Sequence, residues 1–125
     1  MSGQKKLILV AEDDDSVRTM LHRALSTAYV VETASDGLAT LRRLGEMPLP
    51  DLLICDIMMP GADGLTVARR IKANAVTRQM PIIFLTARTT PSDVIQGIQA
   101  GARHYVTKPF KLDDLMQKVR KIVGG

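Results

Sequence analysis

Apolar residues fall along this chain in two alternating rhythms, short unbroken runs and longer stretches in which they recur every third or fourth position. The runs Leu7 to Ala11, Tyr29 to Thr33, Leu52 to Cys55, Ile82 to Leu85 and Tyr105 to Thr107 read as five strands. Most are too continuous to leave one face wet. Between them, Val17, Met20, Leu21, Ala24 and Leu25 share one helical stripe, and Leu112, Leu115, Met116, Val119 and Ile122 share another. Strict alternation of strand and helix predicts an α/β fold with a parallel sheet and right-handed crossovers.

Polar punctuation supports these boundaries. Thr90-Pro91-Ser92-Asp93 offers an N-cap threonine, proline at the first helical position and an acid at the third, so a helix is expected from Pro91 to Ala100, closed by Gly101. Asp63 before Gly64-Leu65 reads as another N-cap, and Asp15 is the expected N-cap of the first helix. The second helix, Gly37 to Glu46, stops at Met47-Pro48-Leu49-Pro50. There is no internal repeat, low-complexity tract or linker, and 125 residues suit one domain spanning 1–125.

Composition narrows the function classes. Hydrophobic residues at 46% and charged residues at 24% are ordinary for a soluble globular domain. Met1 to Lys6 is polar and lacks the apolar stretch of a signal peptide, and no segment reaches membrane-spanning length. The lone Cys55 permits no internal disulfide and reads as a buried, inert thiol, so a cytoplasmic protein without membrane contact is expected. The net charge is +4, with Arg42, Arg43, Arg69, Arg70 and Lys72 on the second and third helices. With two Phe, two Tyr, no Trp and no DNA-reading motif, these charges read as solvated helix faces, and no direct nucleic-acid binding is expected. His22 and His104 lack metal-ligand spacing. Neither a phosphate-binding G-x-x-x-x-G-K-[ST] loop nor a G-x-G-x-x-G turn occurs.

The strand ends carry the chemistry. Glu12 and Asp13 follow the first strand, Asp56 the third, Thr86 the fourth and Lys108 the fifth. In open parallel sheets the ligand crevice lies beyond the carboxyl ends of the strands, where strand order reverses. Three carboxylates, a hydroxyl and an ammonium gathered there form an inventory for a divalent cation and a phosphoryl group. Clustered acids repel one another unless a cation compensates them, and magnesium, with few carboxylate ligands, retained waters and phosphate oxygens, suits best.

Four segments in this order, Leu9-Val10-Ala11-Glu12-Asp13-Asp14, Pro50 through Gly61, Pro81 through Ala87 and Gly101 through Phe110, make the chain resemble the receiver domain of two-component response regulators. The resemblance implies a flavodoxin-like (βα)5 fold, a doubly wound five-stranded parallel sheet of order 2-1-3-4-5. It implies that Asp56 is the phosphoacceptor, taking a phosphoryl group from a histidine kinase or phosphotransfer protein. Mg2+ would be held by Asp13, Asp56 and the Met58 carbonyl, with Glu12 acting through a water. Lys108, the Thr86 hydroxyl and the Ala87 amide would hold phosphoryl oxygens, and the Lys108-Pro109 bond would be cis. Thr86 and Tyr105 would form the switch that reshapes the surface of the fourth helix, fifth strand and fifth helix for a downstream effector or output domain; Tyr105 also reads as plain core filling. Met58 and Arg88 flank the path of the hydrolytic water, with Arg88 either lying across the phosphoryl group or solvated. Such a module is a signalling protein, catalysing only its own phosphotransfer and dephosphorylation.

Two departures from the family pattern matter. Glu12 replaces the commoner aspartate, and Arg103-His104 stand where many relatives carry two acids that support a dimer, so a monomer or a weak phosphorylation-dependent dimer is expected. The alternative, a degenerate receiver serving as a phosphorylation-independent scaffold, usually lacks the acceptor, lysine or acid pair, all present here. A magnesium phosphatase with an aspartyl nucleophile needs a second acid at position 58, where methionine stands.

Overall fold

The computed structural model describes residues 5–124. Its elements alternate as β1 (Leu7–Ala11), α1 (Asp15–Ser26), β2 (Val30–Ala34), α2 (Gly37–Leu44), β3 (Leu52–Cys55), α3 (Gly64–Ala73), β4 (Ile82–Thr86), α4 (Pro91–Gln99), β5 (His104–Thr107) and α5 (Leu112–Val123). All strands pair in parallel, in the order β2-β1-β3-β4-β5. The polar segment Met1–Lys6 lies mostly outside the described residues.

Side-chain alternation divides the core into two layers. Leu9, Leu53, Ile82 and Phe84 point to one face and pack against Leu65, Ala68 and Ile71 of α3 and Leu44 of α2. Ile8, Val10, Ile54 and Ile83 point to the other and meet Leu21 and Leu25 of α1 and Leu115 and Val119 of α5. The central strands β1, β3 and β4 are buried on both faces, which is why their sequences carry unbroken apolar runs. The edge strands differ: β2 and β5 keep exposed or half-exposed positions because one side of each has no neighbouring strand.

Several boundaries fall differently from expectation. Asp14, not Asp15, caps α1, its Oδ1 accepting the Val17 amide at 3.0 Å, while Asp15 is the first helical residue and pairs with Arg18. Tyr29 precedes β2 instead of opening it; its buried ring joins the α1–α5 layer and its hydroxyl donates to the Gly124 carbonyl at 2.8 Å. Helix α2 ends at Leu44 because Arg43 folds back, donating to the carbonyls of Glu46 and Pro48 and pairing with Glu32. Helix α4 ends at Gln99, with Ala100 as its C-cap, and Gly101 takes a left-handed φ of 113°. The Thr90–Asp93 capping box and the Asp63 cap stand as expected.

The fold places its crevice by register. Ala11 pairs with Cys55 and Thr86 with Thr107, so residues 12, 13, 56, 86 and 108 leave the sheet at one edge. The order turns outward at β1 and β3, the switch point of such sheets.

Candidate functional site

The backbone first locks the strand ends together. The Asp56 amide donates to the Ala11 carbonyl at 2.9 Å, the Glu12 amide to Ala34 at 3.0 Å and the Lys108 amide to Thr86 at 2.8 Å. Gly64 allows the β3–α3 loop to fold back tightly, its amide donating to Ile57, and a Cβ there would lie 2.4 Å from the Asp56 carbonyl. Gly37 presses the start of α2 onto the same loop, bonding to Pro60 where a side chain would strike the Ala62 backbone. Arg18 donates to the carbonyls of Glu12, at 2.9 Å, and Asp13, at 3.4 Å, fixing the acid-pair loop from α1.

Three acids converge on this frame. Glu12, Asp13 and Asp56 each offer a carboxylate oxygen within 4.8 Å of the others; Glu12 and Asp56 are buried and Asp13 is exposed. Lys108 Nζ bridges the two buried acids, 2.7 Å from Glu12 Oε1 and 2.9 Å from Asp56 Oδ2. The other Asp56 oxygen accepts the Met58 amide at 3.0 Å, and the other Glu12 oxygen accepts the Asp14 amide at 3.1 Å. The Lys108-Pro109 bond is cis.

The electrostatics follow from this sharing. Burial holds Glu12 above the ordinary carboxylate range, and a half-share of Lys108 offsets that only in part, with the charge of Asp56 adding to the rise. Burial alone pulls the lysine down, but bonds to Glu12 and Asp56 outweigh it, and its pKa stands above the ordinary value. One ammonium thus serves two buried acids, with the Asp13 carboxylate beside them. That deficit of positive charge, with hard oxygen donors only, fits a small divalent cation. Full burial pushes the Cys55 thiol far up, and it donates weakly to the Asp56 carbonyl, so it is inert as a nucleophile.

Thr86 is fully buried, its Oγ1 accepting the Arg88 amide at 3.4 Å, and Ala87 follows on an exposed bend. The side chains of Met58 and Arg88 are exposed and border, with Asp13 and Asp63, a cleft of about 470 Å³ at the mouth of the acid cluster. Tyr105 is half-buried; its ring packs edge-on against Phe84 with centroids 6.2 Å apart, and its hydroxyl donates to the Arg88 carbonyl at 2.8 Å. Burial, then the charge of Asp93, raises its pKa. Sequence reasoning missed Arg18, Gly37 and Gly97, the last lying against the Tyr105 ring, where a Cβ would come within 2.7 Å of it. The first looks like an ordinary helix cation, and the glycines matter only through close approaches that distant residues create.

An α/β sheet of this order, with acids and a lysine gathered at its switch point, defines the class. The chain belongs to the response regulator receiver domain family, whose model matches residues 8–120. It is 41% identical over 117 residues to response regulator MprA of Mycobacterium ulcerans (strain Agy99), covering 93% of this chain and 49% of that protein. The chain therefore spans about half the length of the curated relatives it matches. Among solved structures it is similar to a proposed response regulator from Chloroflexus aurantiacus J-10-fl, with 37% identity, a TM-score of 0.90 and coverage of 98% and 100% of the two chains. It is also similar to the Mn(2+)-bound form of response regulator Rcp1, with 29% identity, a TM-score of 0.81 and coverage of 94% and 91%. Receiver domains are signalling domains of two-component systems, and the acid cluster here suits their usual magnesium. Among the described residues no helix is long and apolar enough to cross a membrane.

Proposed function

We propose that the chain is a phosphorylation-switched receiver whose acceptor is Asp56. The observation that carries this reading is the Lys108 ammonium bonded at once to Asp56 and Glu12 beside a third carboxylate, a centre poised to exchange its charges for a cation and a phosphoryl group. An Asp56 carboxylate oxygen attacks the phosphorus of a phosphohistidine on a histidine kinase or phosphotransfer protein. The P–O bond forms as the P–N bond breaks, and the departing imidazole keeps the electron pair and takes a proton from solvent. Asp13, Asp56 and the Met58 carbonyl would hold Mg2+, with Glu12 as the outer ligand, and the bound ion would neutralise phosphoryl charge. Lys108 shifts to a phosphoryl oxygen, and the Thr86 hydroxyl and Ala87 amide hydrogen-bond another.

Movement of Thr86 toward the new group frees space at Tyr105, shifting the α4–β5–α5 surface between two states read by an effector or output domain. The Tyr105–Arg88 bond supports that coupling, since it ties the ring to the loop two residues beyond Thr86. Arg88 and the apolar Met58 flank the hydrolytic approach and favour a long-lived phosphoryl group.

Intact mass after treatment with acetyl phosphate tests the reading. One phosphoryl mass is expected with magnesium, and none without it or in Asp56→Asn. A wild-type chain that never gains this mass favours the phosphorylation-independent scaffold.

A further inference from the structure

The C-terminal halves of α3 and α4 face each other across a groove of about 340 Å³, lined by Arg69, Lys72, Gln96, Gln99, Ala100 and Gly101. These helices run back from the crevice edge, so the groove lies toward the other end of the sheet from Asp56. Its charge has no internal counterpart. Among the described residues the cations in ion pairs are Arg18, Arg43 and Lys108, and none belongs to this groove. No acid occurs between Asp63 and Asp93, whereas Arg69, Arg70, Lys72, Arg78 and Arg88 fall in that interval, only the last of them at the crevice end.

Lys72 is held in place. Its Nζ donates to the carbonyls of Arg78, at 3.1 Å, and Met80, at 3.2 Å. Its stem crosses Gly101, where a Cβ would come within 2.6 Å of Lys72 Cε. Burial and then the charge of Arg103 pull its pKa below the ordinary lysine value, so Arg103 adds to the same positive field. Beside these cations, Gln96 and Gln99 offer amide donors and acceptors along one side of α4, the pairing that an extended peptide backbone seeks. The arrangement differs from α2, where Arg43 is already paired with Glu32.

We propose that this α3–α4 groove docks an acidic, extended segment of a partner protein, its carboxylates meeting Arg69 and Arg103 and its backbone meeting Gln96 and Gln99. Charge complementarity selects an acidic partner. The two glutamines favour a peptide over nucleic acid, and no aromatic side chain lines the groove for base stacking. The surface is separate from the phosphoacceptor centre, so this proposal stands or falls independently of the chemistry at Asp56.

Fluorescence anisotropy with a labelled glutamate-rich peptide, its glutamine-rich counterpart and a single-stranded oligothymidine of equal formal charge tests it. The glutamate-rich peptide should bind the wild type, more tightly at low salt, and the glutamine-rich one should not. Joint Arg69→Glu and Arg103→Glu should weaken binding about tenfold or more, whereas joint Arg23→Glu and Arg42→Glu, the same charge change elsewhere, should alter it less than about twofold. Gln96→Ala with Gln99→Ala leaves the charge unchanged and should weaken binding about threefold. Equal losses in both charge-reversed variants would overturn the proposal, as would tighter binding of oligothymidine or no binding of the glutamate-rich peptide. Self-association of the unliganded chain that depends on Arg69 and Arg103 would assign the groove to a second copy instead and equally overturn it.

Discussion

At the carboxyl ends of β1 and β3 every strand residue is buried, and Glu12 and Asp56 emerge already bonded through both carboxylate oxygens. One strand away from β3's neighbour the construction loosens. Every residue of β5 is exposed or half-exposed, α4 buries only Gly97 within its helical span, and Ile95 and Ile98 stand 56% and 48% exposed. Local opening is easiest where few apolar contacts must be broken. The same sheet thus carries a buried, hydrogen-bonded acid cluster at one end and, at β5 and α4, a surface with few buried apolar contacts, the division that the proposed switch requires. Tyr105 and Arg88 lie at the border between them.

The sharpest way to break this contrast is to remove the bridging charge. Lys108→Met leaves Glu12 and Asp56 buried without their ammonium, and about 3–5 kcal/mol of stability at neutral pH should be lost in urea unfolding. The pH dependence follows from the two shifts. The lysine's folded pKa is raised, so its stabilising contribution is present below its ordinary pKa and lost as pH rises through the folded value. Glu12 is also raised, so its contribution is present below its ordinary pKa and lost as pH rises through the folded value. The variant's deficit should therefore shrink as pH falls and Glu12 takes a proton, and magnesium should restore part of it at neutral pH.

A smaller effect is expected at the border. A methyl group at Gly97 would lie 2.7 Å from the Tyr105 ring and 3.2 Å from Phe84. Relief of that clash requires the half-buried ring to move, so Gly97→Ala should cost about 1–3 kcal/mol while breaking the tyrosine's bond to Arg88. Acetyl-phosphate labelling of Asp56 should persist, and the Tyr105 resonances in an NMR spectrum should shift to those of an exposed ring. The smallest effect concerns lifetime. Arg88→Ala or Met58→Asn should speed phosphate release from the phosphorylated chain by about three- to tenfold, since in-line attack by water is sensitive to placement. Magnesium affinity should stay unchanged.

Much of the fold was legible in the chain, and so was the placement of the candidate site, because its residues sit where apolar runs stop. Asp56 and Thr86 close or follow fully buried strands, and the Thr90 and Asp63 caps are local signals that the fold keeps. Asp14 and Asp15 are both acceptable caps by local criteria, and only the path of the chain out of Glu12 selects Asp14. Tyr29 reads as strand because its ring is apolar, yet it serves the α1–α5 layer and reaches a carbonyl 95 positions away. The end of α2 depends on Arg43 wrapping around the Met47-Pro48 turn, which no helical periodicity reveals. The doubled duty of Lys108 is likewise a property of two strand ends meeting, not of either segment.

Amide hydrogen exchange, followed residue by residue before and after phosphorylation of Asp56, tests most directly whether chemistry and signal are divided in this way. Amides of β1 and β3 should exchange slowly in both states, while those of α4 and β5 should change their rates on phosphorylation. Rate changes spread equally through β1 and β3, or none in α4 and β5 when intact mass shows full phosphorylation, would contradict the account.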